Sequence, residues 1–189
     1  GDVYLDGEEP YIELHHRPDK ETPLKNQYDG ERVNRVSRRV AEILQDYING
    51  PRIDQVDDYG RAPLITTREG RISSSAIRCT FYRWTRPCKI GVECPHGRRR
   101  PNCSYVPRSQ SSKCPSSRSP HPVRRGSITW QRNRGVPVDV VSERVNSSPS
   151  VIEEHYDKPS KFEEMEKRRR PFLDRLDLDA DTDNGGADE

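Results

Sequence analysis

Residues 87–118 limit most strongly what this chain can fold into, because they contain few apolar side chains among many Pro, Ser, Arg and Cys residues. A stretch with so little apolar surface cannot build a core of its own. Before it, short β-type runs mix with helical patterns, and after it one helical pattern follows another. The sequence therefore predicts an α+β fold that is mainly helical, with small β hairpins near its start and a Cys-rich insert.

The insert contains four of the five cysteines of the chain within 27 residues. Thiols at this density in a chain without a secretion signal favour metal binding over disulfides. Zinc binds four thiolates in a tetrahedron, or three thiolates and an imidazole, and can order a segment that does not fold alone. Because the spacings lack the usual C-x2-C pair, free thiols remain the alternative. The predicted ligands of this structural zinc are Cys88, Cys94, Cys103 and Cys114, with His96 as the substitute ligand.

The chain has no apolar run long enough to span a membrane and no signal-peptide pattern at its start. We therefore expect a cytoplasmic protein without a membrane partner. Of the 189 residues, 30% are hydrophobic and 34% are charged, which is enough for one modest core. Position 1 is Gly rather than an initiator Met, so we expect the chain to be part of a longer product.

The net charge of +2 is unevenly distributed along the chain. Residues 94–138 contain ten Arg or Lys and no acid, whereas residues 174–189 contain seven acids and one Arg. A basic stretch of this kind is typical of phosphate binding, although a solvated basic surface has the same composition. The acidic tail, 171–189, has too little apolar surface to fold and is expected to be disordered. The arginines expected to contact the phosphates of a nucleic acid are Arg118, Arg125, Arg132 and Arg134.

Two β hairpins and two helices are predicted before the insert. The first hairpin covers residues 3–17 and turns at Asp6-Gly7, and the second covers residues 22–37 and turns at Asp29-Gly30. Apolar residues recur at helical spacing between 38 and 50, and residues 73–86 suit a second helix that holds Cys79 in the core.

Four helices are predicted after the insert, over residues 120–134, 137–145, 148–156 and 160–170. Gly135 ends the first of them, and Ser148 caps the third, which carries Tyr156. Ser160 and Glu163 form a capping box at the start of the fourth.

The first of these helices begins with HPVRRG (121–126), which places His121 and Arg124 one turn apart at the helix end that favours anions. Tyr156 follows 35 residues after His121. This segment resembles the C-terminal half of the catalytic domain of tyrosine recombinases, or phage integrases. In that family an HxxR helix, a glycine-ended turn, a second helix and a nucleophilic tyrosine recur at this spacing. The resemblance covers residues 1–170 as a partial catalytic domain, and the insert is similar to a Cys-bearing segment of integrase-like proteins from halophilic archaea.

The resemblance implies site-specific DNA recombination or integration by strand cleavage and rejoining, with self-association on double-stranded DNA. Tyr156 would attack a DNA phosphate and form a phosphotyrosyl intermediate, without a cofactor for catalysis. Arg124 would hold phosphate oxygens with its planar guanidinium, and His121 would bind the same phosphate or move a proton. The catalytic lysine that the family carries on a β hairpin matches Lys25, with Lys20 as the alternative.

The sequence departs from the family pattern in two places. Where the family has a further His or Trp about ten residues before the tyrosine, this chain reads VNSS (145–148), which puts Ser147 in that position. The first catalytic arginine of the family precedes the first hairpin, so we expect it upstream of Gly1 and expect this chain alone to be an incomplete enzyme. Two alternatives stay open: a non-catalytic, zinc-stabilised DNA-binding remnant, and DNA relaxation of the type IB topoisomerase kind.

Overall fold

Small antiparallel sheets and short helices alternate along the chain in the computed structural model, which describes residues 2–173 and residue 176. This mixture of helices and small antiparallel sheets is compatible with the predicted α+β class. The chain divides into two compact units, of which the first ends at Val123 and the second begins at Arg124. No helix in the described part of the chain is both long and apolar enough to cross a bilayer.

The first unit begins with a three-stranded antiparallel sheet of β1 (Val3–Tyr4), β2 (Tyr11–Leu14) and β3 (Arg32–Arg35), with β2 in the middle. Tyr4 lies opposite Tyr11, and their rings stack with centroids 4.5 Å apart. The pairing of β1 with β2 confirms the hairpin predicted over residues 3–17.

The hairpin predicted over residues 22–37 is wrong. Residues Gln27–Gly30 form a 3-10 turn, and β3 pairs with β2 rather than with residues 22–28. A two-residue hairpin turn of the expected type needs positive φ at its central residues, and neither Asp29 nor Gly30 has it. The strand after this turn, β3, therefore pairs with β2, which lies earlier in the chain.

Two helices and a small second sheet complete the part of the first unit that precedes the insert. Helix α1 covers Arg38–Asn49 and α2 covers Ser74–Trp84, with β4 (Thr66–Thr67) and β5 (Gly70–Arg71) paired between them. The side chains of Ser37 and Ser73 accept the N–H groups of Val40 and Ala76 and so cap the two helices. The helices predicted over 38–50 and 73–86 are confirmed, with ends that differ by no more than two residues.

The insert is built from turns, three of them 3-10 turns at Pro87–Lys89, Arg100–Asn102 and Arg108–Lys113. It folds back onto α2, because the backbone N–H of Arg118 donates to Thr85 Oγ1 at 2.7 Å. The Sγ atom of Cys79 lies 3.8 Å from Ser111 Oγ. Cys79 is half-buried against the last of these turns.

The remaining helices are α3 (Pro120–Arg132), α4 (Val138–Val145), α5 (Pro149–Val151), α6 (Lys161–Glu163) and α7 (Arg170–Leu173). Helix α5 runs directly into a π-helical turn, Ile152–Tyr156, and we call residues 149–156 the Tyr156 helix. A second π-helical stretch, Glu164–Arg169, joins α6 to α7, and residues 161–173 are called the final segment. The boundary between the two units falls within α3.

Three fully buried residues, Ile128, Val141 and Ile152, form the core of the second unit. They come from α3, α4 and the Tyr156 helix, one from each, so this small core fixes the three helices together. The four predicted helices are confirmed, including the Ser148 cap and the capping box of Ser160. Of the tail expected to be disordered, residues 171–173 lie in α7, and the others apart from Leu176 lie outside the described residues.

Candidate functional site

Arg124 contacts the side chain of Tyr156 in the second unit. Its guanidinium carbon lies 5.4 Å from the centroid of the tyrosine ring, which is within the range of a cation–π interaction. The two residues are 32 positions apart in the sequence. They meet because Ile128, one turn after Arg124, and Ile152, one turn before Tyr156, are buried in the same core.

Arg124 also holds the end of α4. Its Nη2 atom donates to the carbonyl oxygen of Val145, the last residue of that helix, at 2.6 Å. Asn146 then turns the chain in the left-handed region, with φ of 50°, and Ser142 Oγ donates to the carbonyl oxygen of Ser147 at 2.7 Å. The structure thus brings together Arg124, Tyr156 and the turn that carries Ser147.

The backbone around Tyr156 is tied to α3 through Thr129. The hydroxyl of Thr129 donates to the carbonyl oxygen of Tyr156 at 3.2 Å and accepts the backbone N–H of Lys158 at 3.3 Å. The ring of Tyr156 packs against the buried core, and the residue as a whole is half-buried. These contacts fix both the backbone and the ring of the candidate nucleophile.

Asp157, which the sequence analysis did not identify, holds the residue after the tyrosine in place. Its side chain is only 7% exposed and accepts two hydrogen bonds from Arg168, at 2.8 and 2.6 Å. Arg132 Nε lies 3.4 Å from the same carboxylate, and Arg168 Nε also donates to Asn133 Oδ1 at 2.8 Å. The carboxylate therefore joins α3, the Tyr156 helix and the final segment. No motif in the sequence indicates this pairing, because its partners are 25 and 11 residues away.

The other two predicted catalytic residues are exposed to solvent. His121 lies in the first turn of α3, one turn before Arg124. Lys25 lies in a turn within residues 15–31, which connect β2 to β3. Lys20, the alternative, ends a 3-10 turn in the same connection and is exposed as well. Both lysines therefore lie in the connection between β2 and β3, which are paired antiparallel strands.

The four arginines predicted to contact DNA have different surroundings. Arg125 is exposed on α3, and Arg134 is exposed with its guanidinium 3.8 Å from the ring centroid of Trp130. Arg118 is exposed and donates to the carbonyl oxygens of Pro115 and Ser117. Arg132 instead is half-buried, because it donates to the carbonyl of Val136 at 2.6 Å and pairs with Asp157.

All of the predicted metal ligands line one small cavity in the insert, with a volume of about 20 Å³: Cys88, Cys94, His96, Cys103 and Cys114. The cysteines are free thiols. Among the described residues, no group of three Cys, His, Asp or Glu side chains is positioned to hold a metal ion as it stands. The fifth cysteine, Cys79, does not line this cavity.

A wider cleft of about 510 Å³ lies elsewhere in the first unit, between β2 and residues 57–77. Its wall combines aliphatic side chains, such as Leu14 and Ile65, with the ion pairs of Asp57 to Arg61 and Arg71. None of the predicted catalytic, DNA-binding or metal-binding residues lines it.

Among the described residues, two features can carry chemistry. One is the contact of Arg124 with Tyr156 beside the VNSS turn, in the second unit, and the other is the cysteine-lined cavity in the insert. Comparison with known proteins adds no relative: no family model, no curated protein and no solved structure matches this chain.

Proposed function

We propose that this protein cleaves and rejoins double-stranded DNA as a tyrosine recombinase, with Tyr156 as the nucleophile. The observation that carries the proposal is the contact between the Arg124 guanidinium and the Tyr156 ring, 5.4 Å from its centroid. It joins the arginine of the HxxR pattern to the tyrosine 32 residues away, which are the two groups that the chemistry needs side by side. Phosphoryl transfer depends mainly on positioning and on charge stabilisation.

In the proposed reaction, the Tyr156 hydroxyl oxygen forms a bond to the DNA phosphorus, and the bond from phosphorus to the 5′ oxygen breaks. The tyrosine proton passes to a base, for which His121 is the candidate. Lys25, or Lys20 in its place, supplies a proton to the leaving 5′ oxygen. Rejoining is the reverse of these steps, so neither ATP nor a catalytic metal is consumed.

Arg124 has the role of the phosphate clamp. One of its N–H groups is held by the Val145 carbonyl, and this contact fixes the plane of the guanidinium beside Tyr156. A planar guanidinium matches two phosphate oxygens, which an ammonium group does not. The hydroxyl of Ser147, in the turn that Arg124 contacts, is the candidate third donor to the phosphate.

The charge distribution supports DNA as the substrate. Residues 94–138, which include α3 and its His121 and Arg124, contain ten basic residues and no acid. Exposed Arg125 and Arg134 belong to this stretch, and a basic region of this kind attracts the phosphate backbone irrespective of sequence. Action on two DNA sites would require self-association on the DNA.

The test is trapping of the covalent intermediate by the full-length protein. The protein is incubated with nicked DNA duplexes of random sequence. After cleavage the short strand end dissociates and cannot be rejoined, so the covalent intermediate persists. Tryptic peptides are then analysed by mass spectrometry. We expect a nucleotide attached to the peptide that contains Tyr156. Tyr156→Phe should abolish the adduct and leave DNA binding nearly unchanged, because the phenol oxygen contributes little to ground-state binding.

Tyr59→Phe is the matched control, since Tyr59 is 41% exposed and lies in the first unit. It should form as much adduct as the unmodified protein. An adduct that persists in Tyr156→Phe contradicts the assignment of the nucleophile. DNA binding without any adduct favours a non-catalytic role, and relaxation of a supercoiled plasmid without paired sites favours a topoisomerase.

A further inference from the structure

The four cysteines of the insert converge on one cavity although they are separated by up to 26 positions in the sequence. The cavity volume of about 20 Å³ is enough for one water molecule or one ion. A cluster of several metal ions with bridging sulfides needs more space. The insert has few apolar residues, and these thiols are the chemical groups that its turns bring together.

Arg86, at the start of the insert, also lines this cavity and is only 5% exposed. Of the charged residues in the described part of the chain, it has the lowest exposure of the residue as a whole. Its Nε donates to the carbonyl oxygen of Arg83 at 3.2 Å, and its Nη1 donates to the carbonyl oxygens of Tyr105 and Val106. Within the described part of the chain it forms no ion pair with a carboxylate. A buried cation with only neutral partners is costly, which points to an anionic partner in the cavity.

The other charged residues of the cavity wall are arginines as well. Arg98 and Arg100 line the cavity, and the Arg98 guanidinium lies 4.6 Å from the centroid of the Tyr105 ring. No Asp or Glu is part of the wall. One zinc ion bound by four thiolates has a net charge of −2, and such a centre matches a wall that contains several guanidinium groups and no acid.

We propose that the insert binds one zinc ion through Cys88, Cys94, Cys103 and Cys114, and that buried Arg86 is the counter-charge of this zinc–thiolate centre. Binding releases the four thiol protons and draws the sulfur atoms inward to about 2.3 Å from the metal. His96 supports the wall rather than the metal, because its Nε2 is 2.8 Å from the hydroxyl of Ser116. This centre is independent of whether Tyr156 acts as a nucleophile.

The ligand set is tested on the full protein, purified without chelator. Native mass spectrometry should show one zinc per chain, and X-ray absorption should show four sulfur neighbours at about 2.3 Å without a nitrogen at about 2.0 Å. Cys103→Ser should lose the zinc, whereas Cys79→Ser, the matched control at the cysteine outside the cavity, should keep it. His96→Ala should keep it too. If Cys103→Ser does not fold, alkylation of the unmodified protein before and after chelation gives the same information, since only Cys79 should react before chelation.

The role of Arg86 has its own test. Arg86→Gln should weaken zinc binding about 10- to 100-fold in a chelator competition, as is typical when a group behind the ligands is removed. Arg78→Gln changes an exposed arginine of α2 and should leave zinc binding unchanged. Equal zinc affinity of Arg86→Gln and the unmodified protein would overturn the counter-charge.

Other results would overturn the zinc centre itself. These are a folded, metal-free protein whose four insert thiols all react with the alkylating agent, or iron in place of zinc. An absorption spectrum with three sulfur atoms and one nitrogen would overturn the four-thiolate ligand set and assign His96 as a ligand.

Discussion

Arg124 has a structural role in the fold and, in the proposed reaction, a chemical role for the same guanidinium group. One N–H bonds the Val145 carbonyl at 2.6 Å, while the charged carbon lies 5.4 Å from the Tyr156 ring centroid. The ammonium of lysine is a compact point charge and cannot keep both contacts and bind two phosphate oxygens. The identity of this residue, rather than its charge alone, should therefore determine the reaction rate.

We predict that Arg124→Lys lowers the rate of strand cleavage about 100- to 1,000-fold, the usual effect of losing one preorganised donor to a charged transition state. DNA affinity should fall little, because the positive charge remains. Single-turnover cleavage and equilibrium binding measure the two effects separately. Arg125→Lys, at the exposed neighbouring position, is the control and should cleave normally. Equal rates for the two variants would exclude Arg124 from the reaction.

Asp57 shows how a single carboxylate can stabilise a loop of the first unit. The pKa of Asp57 is lowered to about 2 from its ordinary value of 3.8, mainly by hydrogen bonds from the Arg61 guanidinium. Burial opposes this shift, and hydrogen bonds from the backbone N–H groups of Arg61 and Tyr59 add to it. A carboxylate with a lowered pKa stabilises the folded state fully above its unfolded-state pKa, and this contribution disappears as the pH falls through the folded-state value.

We predict that Asp57→Asn is less stable than the unmodified protein above about pH 4, and that the difference vanishes as the pH approaches about 2. Thermal unfolding measured at a series of pH values gives this dependence. Asp58→Asn, which changes the exposed neighbour, should unfold like the unmodified protein throughout. A stability difference for Asp57→Asn that is the same at every pH would contradict the electrostatic explanation.

At the scale of the helices, Asp157 joins three elements of the second unit. Its side chain is 7% exposed and pairs with Arg132 of α3 and Arg168 of the final segment. A buried carboxylate between two arginines is costly to disrupt, because the cations then stay without their partner. The position of Tyr156, the preceding residue, depends on this junction.

We predict that Asp157→Ala lowers the free energy of unfolding by about 2–4 kcal/mol, somewhat less than for a fully buried pair because both arginines are partly exposed. Urea denaturation measures the change. Glu154→Gln is the control: its side chain is 72% exposed and pairs only with neighbouring His155 at 3.6 Å, so it should cost little. A loss of stability no larger than that of the control would show that the junction is not needed.

The helices could be predicted from the sequence because their start signals are local. Ser148 and Ser160 cap their helices as predicted, and in the structure Ser37 and Ser73 cap two more. The pairing of β3 was not predictable in the same way, since Asp29-Gly30 suggests a local turn while the actual partner strand lies 18 or more residues earlier. Strand pairing depends on contacts between residues that are far apart in the sequence, which a local pattern does not indicate.

In the candidate site, too, some residues could be predicted from the sequence and others could not. Spacing and resemblance identified Arg124, Tyr156 and Ser147, and the structure places them around one turn. Asp157, Arg168 and Arg86 were missed, because each depends on partners that only the packed chain brings close. The π-helical turn that contains Tyr156 was also missed, since the 3.6-residue pattern describes only regular helices.

At the scale of the whole molecule, the proposed binding to DNA rests on the uneven distribution of charge along the chain. Without residues 174–189 the chain has 32 basic and 24 acidic residues, a net charge of +8, although the complete sequence has only +2. The excess is concentrated in residues 94–138, where exposed Arg125 and Arg134 lie. Each phosphate that such a residue neutralises releases a counterion, so affinity for DNA falls as salt concentration rises.

We predict a linear fall of log affinity with log salt concentration for a duplex of random sequence, and a slope that becomes shallower by about 0.9 for each phosphate contact removed. Arg125→Ala should change the slope by about this amount, because Arg125 is exposed on α3 within the acid-free stretch. Arg39→Ala removes an equally exposed arginine of α1, outside that stretch, and should leave the slope as it is. Fluorescence anisotropy over a salt series measures both variants. Since each loses one positive charge, a general effect of net charge would change their slopes equally, and that result would contradict a phosphate contact by Arg125.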